Sequence, residues 1–183
     1  HRKTLATDLF LCVEHQPVFT LGRNASREHL GVSTAFLEAQ GIAVVPIERG
    51  GEITYHGPGQ LVLYPILNLR ERRLGVSEYV WLLEELMLRL ALASGIQAGR
   101  DVRNHGVWVG NNKLGSIGIA IRHGIAFHGM ALNVSLDLEP FSWINPCGLS
   151  QVGVTSLHRE GAATLSMNAV KINLCSQLAE LFQ

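Results

Sequence analysis

The sequence predicts an α+β fold, in which helices pack against a mainly antiparallel or mixed sheet. Apolar residues recur at helical spacing in separate segments, and short apolar runs joined by tight turns lie between them. The chain has 183 residues, of which 47% are hydrophobic and 16% charged, a composition that excludes a disordered protein. We therefore expect residues 1–183 to form one domain around one core.

Three helices are predicted from apolar periodicity and from their end signals. Ser33 can cap a short helix through residue 40, which Gly41 ends. The clearest helix covers residues 77–94, and a last one covers residues 166–182. Both carry apolar residues at steps of three and four, which is typical of helices that pack on a core.

Six segments are predicted to be extended because they are short, apolar and bounded by turn-forming residues. Neighbouring hairpins among them favour antiparallel pairing. The segments are residues 8–14, 42–47, 61–69, 106–109, 114–121 and 125–134.

Charge and cysteine usage exclude several classes of protein. Fifteen basic and fifteen acidic side chains leave no net charge, so no global field attracts nucleic acid or an anionic membrane. The three cysteines, Cys12, Cys147 and Cys175, form neither a CxxC pair nor an even set, which argues against a disulfide framework and a thiolate metal site. No apolar run is long enough to cross a bilayer. We expect a soluble, cytoplasmic protein with reduced thiols.

Glycine is concentrated in residues 49–60, which read RGGEITYHGPGQ. Glycine allows backbone to approach a ligand closely, and exposed N–H groups can hold an oxygen atom. A pair of tight turns explains the same residues, so both interpretations stay open. The segment matches neither a phosphate loop nor a dinucleotide fingerprint.

Four further features have both a functional and a plain interpretation. Cys147, in the turn-forming NPCG of residues 145–148, is the candidate nucleophile, although isolated cysteines are most often small buried side chains. Lys113 alone resembles a surface charge. Strand alternation predicts that His128 is a core histidine rather than a metal ligand. Six arginines form either solvated surface or a docking face for an acidic partner, namely Arg70, Arg72, Arg73, Arg100, Arg103 and Arg122.

Taken together, four motifs resemble those of the lipoyl(octanoyl) transferases of lipoate biosynthesis. They are residues 49–60, KLGSIG at 113–118, FHGMALNV at 127–134 and NPCG at 145–148. The resemblance runs in order from residue 13 to residue 157. It implies a fold like that of the biotin and lipoate protein ligases.

The resemblance also implies a reaction: an octanoyl group passes from octanoyl-acyl carrier protein to a lysine of a lipoyl domain, as the first step of endogenous protein lipoylation. Cys147 would carry the acyl group as a thioester, and Lys113 would lower the pKa of that thiol and later act as a general base. The implied acceptors are lipoyl domains of 2-oxoacid dehydrogenase E2 subunits and the glycine cleavage H protein. The resemblance implies no cofactor, no metal and no ATP, and we expect a monomer.

The substrate pocket implied by the resemblance has fourteen residues, with Tyr55, Ile117 and Met130 expected to line an acyl groove and Gly50 and Gly51 to offer oxyanion donors. The fourteen are Arg49, Gly50, Gly51, Glu52, Ile53, Thr54, Tyr55, His56, Ser116, Ile117, Gly118, Gly129, Met130 and Ala131. The chain departs from the family in having Gly115 where alanine is usual, and the strand and helix that normally open the fold are expected to be truncated.

Three other functions are consistent with the same residues. An ATP-dependent lipoate-protein ligase of the same fold would leave Cys147 idle. A noncatalytic acyl-binding module would use the pocket without a covalent step. A thiol hydrolase would pair Cys147 with His128.

Overall fold

The computed structural model of the chain describes residues 8–144 and 152–182. Strands and helices alternate along these two stretches, with short 3₁₀ helices at Arg27–His29 and Glu139–Trp143. The elements in chain order are β1 (Leu9–Val13), β2 (Val18–Leu21), α1 (Thr34–Ala39), β3 (Ala43–Pro46), β4 (Ile53–His56), β5 (Gln60–Asn68), α2 (Val76–Ala93), β6 (Gly106–Val109), β7 (Asn112–Arg122), β8 (Ile125–Asn133), β9 (Gly153–Val154) and α3 (Met167–Leu181).

The larger sheet has the strand order β1-β5-β8-β7-β6, and β9 is added beside β7. All neighbours on the main path are antiparallel, whereas β9 runs parallel to β7. The smaller sheet has the order β3-β2-β4, with β2 parallel to β3 and antiparallel to β4. The predicted α+β class with a mixed or mainly antiparallel sheet is confirmed.

The helices form where the apolar periodicity and the capping residues predict them. Ser33 accepts a hydrogen bond from the N–H of Phe36, and Ser166 accepts one from the N–H of Ala169. These caps satisfy N–H groups that have no partner within the helix. Helix α2 ends at Ala93, and Gly95 follows with a φ of +80°, which suits glycine.

The hydrophobic core is divided into two clusters, so the expectation of one core is wrong. The larger sheet packs on α2 and α3 through residues such as Leu63 and Leu83. A second cluster, which includes Phe19 and Leu37, lies under the smaller sheet and α1. Each of the two sheets buries one apolar face, and each therefore needs its own packing partner.

Strands β2 and β4 were not predicted, and β4 lies inside the glycine-rich segment. Each has only four residues. Pairing with each other, from Val18 opposite His56 to Leu21 opposite Ile53, makes them strands. The segment is therefore a strand flanked by turns and not only a pair of turns.

Among the described residues, none of the helices combines the length and the apolar character that crossing a membrane requires.

Candidate active site

A cavity of about 440 Å³ is lined by residues of both sheets. Strands β7 and β8 of the larger sheet supply Ser116 to Gly118 and Gly129 to Ala131, and β4 supplies Thr54 and His56 from the smaller sheet. The larger sheet gives the cavity mostly apolar or small lining residues. The smaller sheet gives it Ile53 together with the polar Thr54 and His56.

Twelve of the fourteen predicted pocket residues line this cavity, and Gly50 and Tyr55 do not. Alternation along β4 points Tyr55 into the second core, where its ring lies 5.3 Å from that of Phe19 and 5.7 Å from that of Phe141. Tyr55 therefore does not line an acyl groove. The N–H of Gly50 donates to the carbonyl oxygen of Ile119 at 2.8 Å, so it is not a spare oxyanion donor.

Arg49 anchors the glycine-rich segment to β2. Its Nη2 donates to the carbonyl oxygen of Thr20 at 2.7 Å and to the Thr20 hydroxyl at 2.9 Å. The side chain is 8% exposed and still lines the cavity. Arg49 thus places a fixed positive charge in the wall.

Lys113 lies in the cavity wall at the start of β7. Its Nζ donates to Oδ1 of Asn104 at 2.8 Å and lies 5.2 Å from the centre of the Trp108 ring. A carbonyl-type oxygen and an aromatic face both stabilise an ammonium group. Lys113 is therefore not simply a solvated surface charge.

A β-bulge and a glycine bring Lys113 to this position. The β6–β7 register shifts between Val107 and Trp108, which places Trp108 opposite Lys113. Gly106 has a φ of +130°, and a Cβ there would lie 3.0 Å from Cε of Lys113. The same Cβ would overlap the backbone carbonyl oxygen of Gly115, so this position beside the lysine stem requires glycine.

Sequence reasoning missed Asn104 and Trp108, which hold Lys113. The Trp108 indole also donates to the Asn104 carbonyl oxygen at 3.3 Å, so the two residues support each other. Asn104 lies in a loop, nine residues from the lysine that it contacts. No spacing rule connects a loop amide to a strand lysine at that distance.

Two cavity histidines are held neutral by burial. Burial is the main cause that lowers the pKa of His56 to about 4, and Gln60 accepts from the ring at 2.7 Å. Burial, and then the charge of Arg49, lower the pKa of His128. His128 is only half-buried, has a φ of +59° and lines the cavity, so its prediction as a core histidine is wrong.

Cys147 and the rest of residues 145–151 lie outside the described residues. The chain on both sides of this segment is described, and Ile144 and Val152 both line the cavity. Strand β9 follows and pairs Val154 with Lys113. Within residues 8–144 and 152–182, no group of three or more histidine, cysteine or acidic side chains is arranged to hold a metal ion.

Comparisons with known proteins identify the family of this chain. The family model "Lipoyl protein ligase A/B catalytic domain" matches residues 1–179. The chain belongs to this family. A relative from Desulfotalea psychrophila named Octanoyltransferase is 58% identical over 180 residues, which cover 97% of this chain and 81% of that protein. The predicted membership of the lipoyl(octanoyl) transferases, and the enzyme class that goes with it, are confirmed.

Solved structures confirm the fold of this lipoyl protein ligase A/B family member. One described as a bi-partite lipoate protein ligase and its E2 lipoyl domain, from Thermoplasma acidophilum, has a TM-score of 0.74 at 16% identity and covers 96% of this chain and 71% of its own. A biotin protein ligase from Aquifex aeolicus, in complex with biotin and ATP, has a TM-score of 0.59 at 16% identity and covers 90% and 69%. The predicted biotin/lipoate protein ligase-like fold is confirmed.

Gly115 has a local structural reason to be a glycine. A Cβ at Gly115 would lie 2.6 Å from Sδ of Met87 and 3.0 Å from Cγ2 of Val107. The Met87 side chain on α2 is fully buried and occupies the space that an alanine methyl group needs. Gly115 and Met87 therefore fit each other.

Four of the six arginines suggested as a docking face are paired with carboxylates. Arg122 pairs with Glu48 at 2.8 Å and Arg103 with Asp101 at 2.6 Å. Arg100 pairs with Glu84 and Glu85, and Arg72 with Asp8. These pairs offset most of the positive charge that an acidic partner would meet.

Proposed function

We propose that this chain transfers an octanoyl group from octanoyl-acyl carrier protein to a lysine of a lipoyl domain, through a thioester on Cys147. The relatives named Octanoyltransferase support the acyl group. The lipoyl domain in the Thermoplasma structure supports the acceptor class. We propose E2 subunits and the glycine cleavage H protein as acceptors, and a single domain that acts as a monomer without a cofactor.

The observation that carries this proposal is the ammonium group of Lys113, held by Asn104 and Trp108 in the cavity wall. A cation near a thiol favours the reactive thiolate. Cys147 is three residues from Ile144, which lines the cavity, so chain length limits it to about 11 Å from that residue. Lys113 lines the same cavity as Ile144, and we propose that the Cys147 sulfur approaches it there.

In the first half-reaction, the Cys147 thiolate attacks the carbonyl carbon of the donor thioester. The carbonyl oxygen becomes an oxyanion, the bond to the donor sulfur breaks, and the carrier thiol leaves with a proton from Lys113. One thioester replaces another, so the exchange needs no external energy source. Because the Gly50 N–H is already bonded to Ile119, we assign the oxyanion to other donors in the cavity.

In the second half-reaction, the acceptor lysine attacks the acyl-enzyme. Lys113 has just given up its proton, so it can accept the one that the attacking amine must lose. The bond between the acyl carbon and Cys147 breaks, and the thiolate is regenerated beside the ammonium. An amide, more stable than the thioester, is formed.

The apolar side of the cavity suits a medium-length acyl chain. Val62, Ile117 and Met130 line it on the side of the larger sheet. Burial stabilises hydrocarbon by about 0.8 kcal/mol per methylene, so a seven-carbon tail gains on the order of 5 kcal/mol. This gain holds the acyl group while partners are exchanged.

The test is to incubate the protein with octanoyl-acyl carrier protein and measure its intact mass. Wild type is expected to gain one octanoyl adduct that hydroxylamine removes, and Cys147→Ser is expected to lose it. Cys12→Ser and Cys175→Ser are matched controls, since both thiols are exposed and neither lines the cavity. These controls should label like wild type.

Two results would contradict the proposal. Normal turnover by Cys147→Ser would exclude the thioester mechanism. Attachment of free lipoate that requires ATP and survives Cys147→Ala would replace it with a ligase activity.

A further inference from the structure

Three buried polar side chains form a hydrogen-bonded chain from β8 to the cavity. Asn133, Gln60 and His56 are 4%, 2% and 8% exposed. Asn133 and Gln60 are opposite each other in the β5–β8 register, and His56 is at the end of β4. Buried polar groups of this kind are costly unless they are paired, so their bonding pattern is strongly determined.

The donor and the acceptor of each hydrogen bond in this series follow from its Asn133 end, where the partner can only accept. Nδ2 of Asn133 donates to the carbonyl oxygen of Thr155 at 2.9 Å, and a carbonyl oxygen can only accept. Oδ1 of Asn133 therefore accepts from Nε2 of Gln60 at 2.9 Å. The Gln60 nitrogen also lies 3.4 Å from the carbonyl oxygen of Tyr55, a second acceptor.

This orientation of Gln60 determines the tautomer of His56. Oε1 of Gln60 faces Nδ1 of His56 at 2.7 Å, and an amide oxygen is an acceptor, so the proton is on Nδ1. Burial lowers the pKa of His56 to about 4, so the ring carries only one proton at neutral pH. Its Nε2 therefore presents a lone pair.

Nε2 of His56 has no hydrogen-bond partner within residues 8–144 and 152–182, although the ring lines the cavity. In the same part of the chain, the Tyr79 hydroxyl is the one fully enclosed side-chain nitrogen or oxygen without a partner. Nε2 is thus not sealed in the core and remains accessible to the cavity. A nearly buried acceptor that opens into a cavity is a site for a donor of the ligand.

We propose that Gln60 and Asn133 are positioning residues that hold His56 as its Nδ1–H tautomer, so that Nε2 accepts a hydrogen bond from an N–H group of the substrate. The role rests on the proposed acyl transfer, which supplies such groups at two points. The carrier-protein arm has amide N–H groups, and the acceptor lysine has an amine. In this form Nε2 accepts and does not donate, so it does not stabilise the oxyanion.

The tautomer can be measured without substrate. In protein with ¹⁵N-labelled histidine, two-bond ¹⁵N–¹H correlation spectra at neutral pH are expected to show His56 protonated on Nδ1 and bare on Nε2. Gln60→Leu removes the acceptor and is expected to move the proton to Nε2, at least in part. A wild-type spectrum with the proton on Nε2 would overturn the proposal.

The two half-reactions then identify the substrate group. Gln60→Leu is expected to slow loading of the enzyme, transfer to the lipoyl domain, or both, by about tenfold, which is the effect of one hydrogen bond. A loss in loading assigns the donor to the carrier arm, and a loss in transfer assigns it to the acceptor amine. Gln177→Leu, on α3 and outside the cavity lining, is the matched control and should change neither.

A second variant separates positioning from folding. Gln60→Glu keeps an acceptor for Nδ1–H, loses the donor to Asn133 and adds a negative charge, which raises the pKa of His56 and protonates Nε2. Its activity is expected to be low at pH 6 and to recover as pH rises, a profile that a purely structural defect does not produce. A changed tautomer with both half-reactions unaffected would overturn the proposal. Absence of an acyl adduct in wild type would instead contradict the proposed function, since the spectra need no substrate.

Discussion

The two walls of the cavity are built in different ways. The wall from the larger sheet uses strands of nine and eleven residues, whose backbone pairing places Ile117 and Met130 at its surface. The wall from the smaller sheet uses strands of four residues, and its polar groups are fixed by side-chain hydrogen bonds that Arg49 donates to Thr20 and His56 donates to Gln60. The first wall should therefore be sensitive to changes of volume, and the second to loss of single hydrogen bonds.

Charge differs between the walls as well. Lys113 on the larger sheet is a cation, held by Asn104 and Trp108. His56 on the smaller sheet is neutral, because burial and the nearby Arg49 both disfavour its charged form. A cation that can move a proton and a neutral acceptor that cannot should have different effects on catalysis when they are removed.

The largest expected effect is from Lys113→Met, which keeps the stem and removes the charge. The rate of each half-reaction should fall by about 10²–10⁴-fold, the usual contribution of a group that transfers protons in catalysis. Both rates are measured from intact mass over time. Lys171→Met is the control, because Lys171 pairs with Glu14 on the surface and lies outside the cavity lining. Equal losses in the two variants would show that Lys113 has no special role.

The next largest effect is expected on stability, where alanine substitutions at two glycines of the larger sheet should lower the free energy of unfolding by different amounts. A Cβ at Gly129 would overlap the carbonyl oxygen of Leu63 and lie 2.7 Å from Cδ of Pro65. Because that oxygen is backbone, we expect Gly129→Ala to lower the free energy of unfolding by about 3 kcal/mol or more.

Gly115→Ala meets the flexible Met87 side chain instead, and we expect a loss of about 1 kcal/mol. Urea unfolding of both variants measures the difference. If Gly115→Ala were the more damaging of the two, the argument that the backbone contacts of the larger sheet are the rigid part of this wall would fail.

The sequence predicted the larger sheet better than the smaller one, for a physical reason. Helix α2 was predicted within one residue at each end, and β6 with its observed bounds, because apolar periodicity and turns are local signals. Strands β2 and β4 are four residues long and become strands by pairing across more than thirty residues. Single-segment patterns do not contain that information.

The same limit applies to the site. Twelve of the residues that the resemblance assigned to a substrate pocket line one cavity, and alternation along the unrecognised strand β4 explains why Tyr55 is elsewhere. His128 was misplaced because its φ of +59° turns the side chain out of the strand alternation. Asn104 was missed because its contact with Lys113 joins a loop to a strand.

His56, in the cavity wall from the smaller sheet, should make the stability of the protein depend on pH. His56 has a pKa of about 4 when folded against an ordinary value of 6.5, so the unfolded chain binds more protons between these values. The neutral form of His56 therefore contributes stability that is fully present above pH 6.5. This contribution is lost as the pH falls to 4, which lowers the free energy of unfolding by about 3 kcal/mol in all. The free energy of unfolding should therefore fall less steeply over this range in His56→Leu than in wild type. Burial also lowers the pKa of His15 and His128, so part of the slope should remain. Identical slopes would show that His56 titrates normally in the folded protein.

The smallest effect is expected from Asn104→Ala, which removes the hydrogen-bond acceptor of Lys113 and leaves the Trp108 ring in place. A hydrogen bond to a charged group contributes about 1.5 kcal/mol or more, so both half-reactions should slow by about tenfold. If Asn104 acts only through Lys113, the change should have no further effect in the Lys113→Met background, which a double-mutant cycle measures from the same mass assay. Independent, additive losses would mean that Asn104 contacts the substrate itself. The cavity wall from the larger sheet would then have a polar substrate contact like the one proposed for His56 in the wall from the smaller sheet.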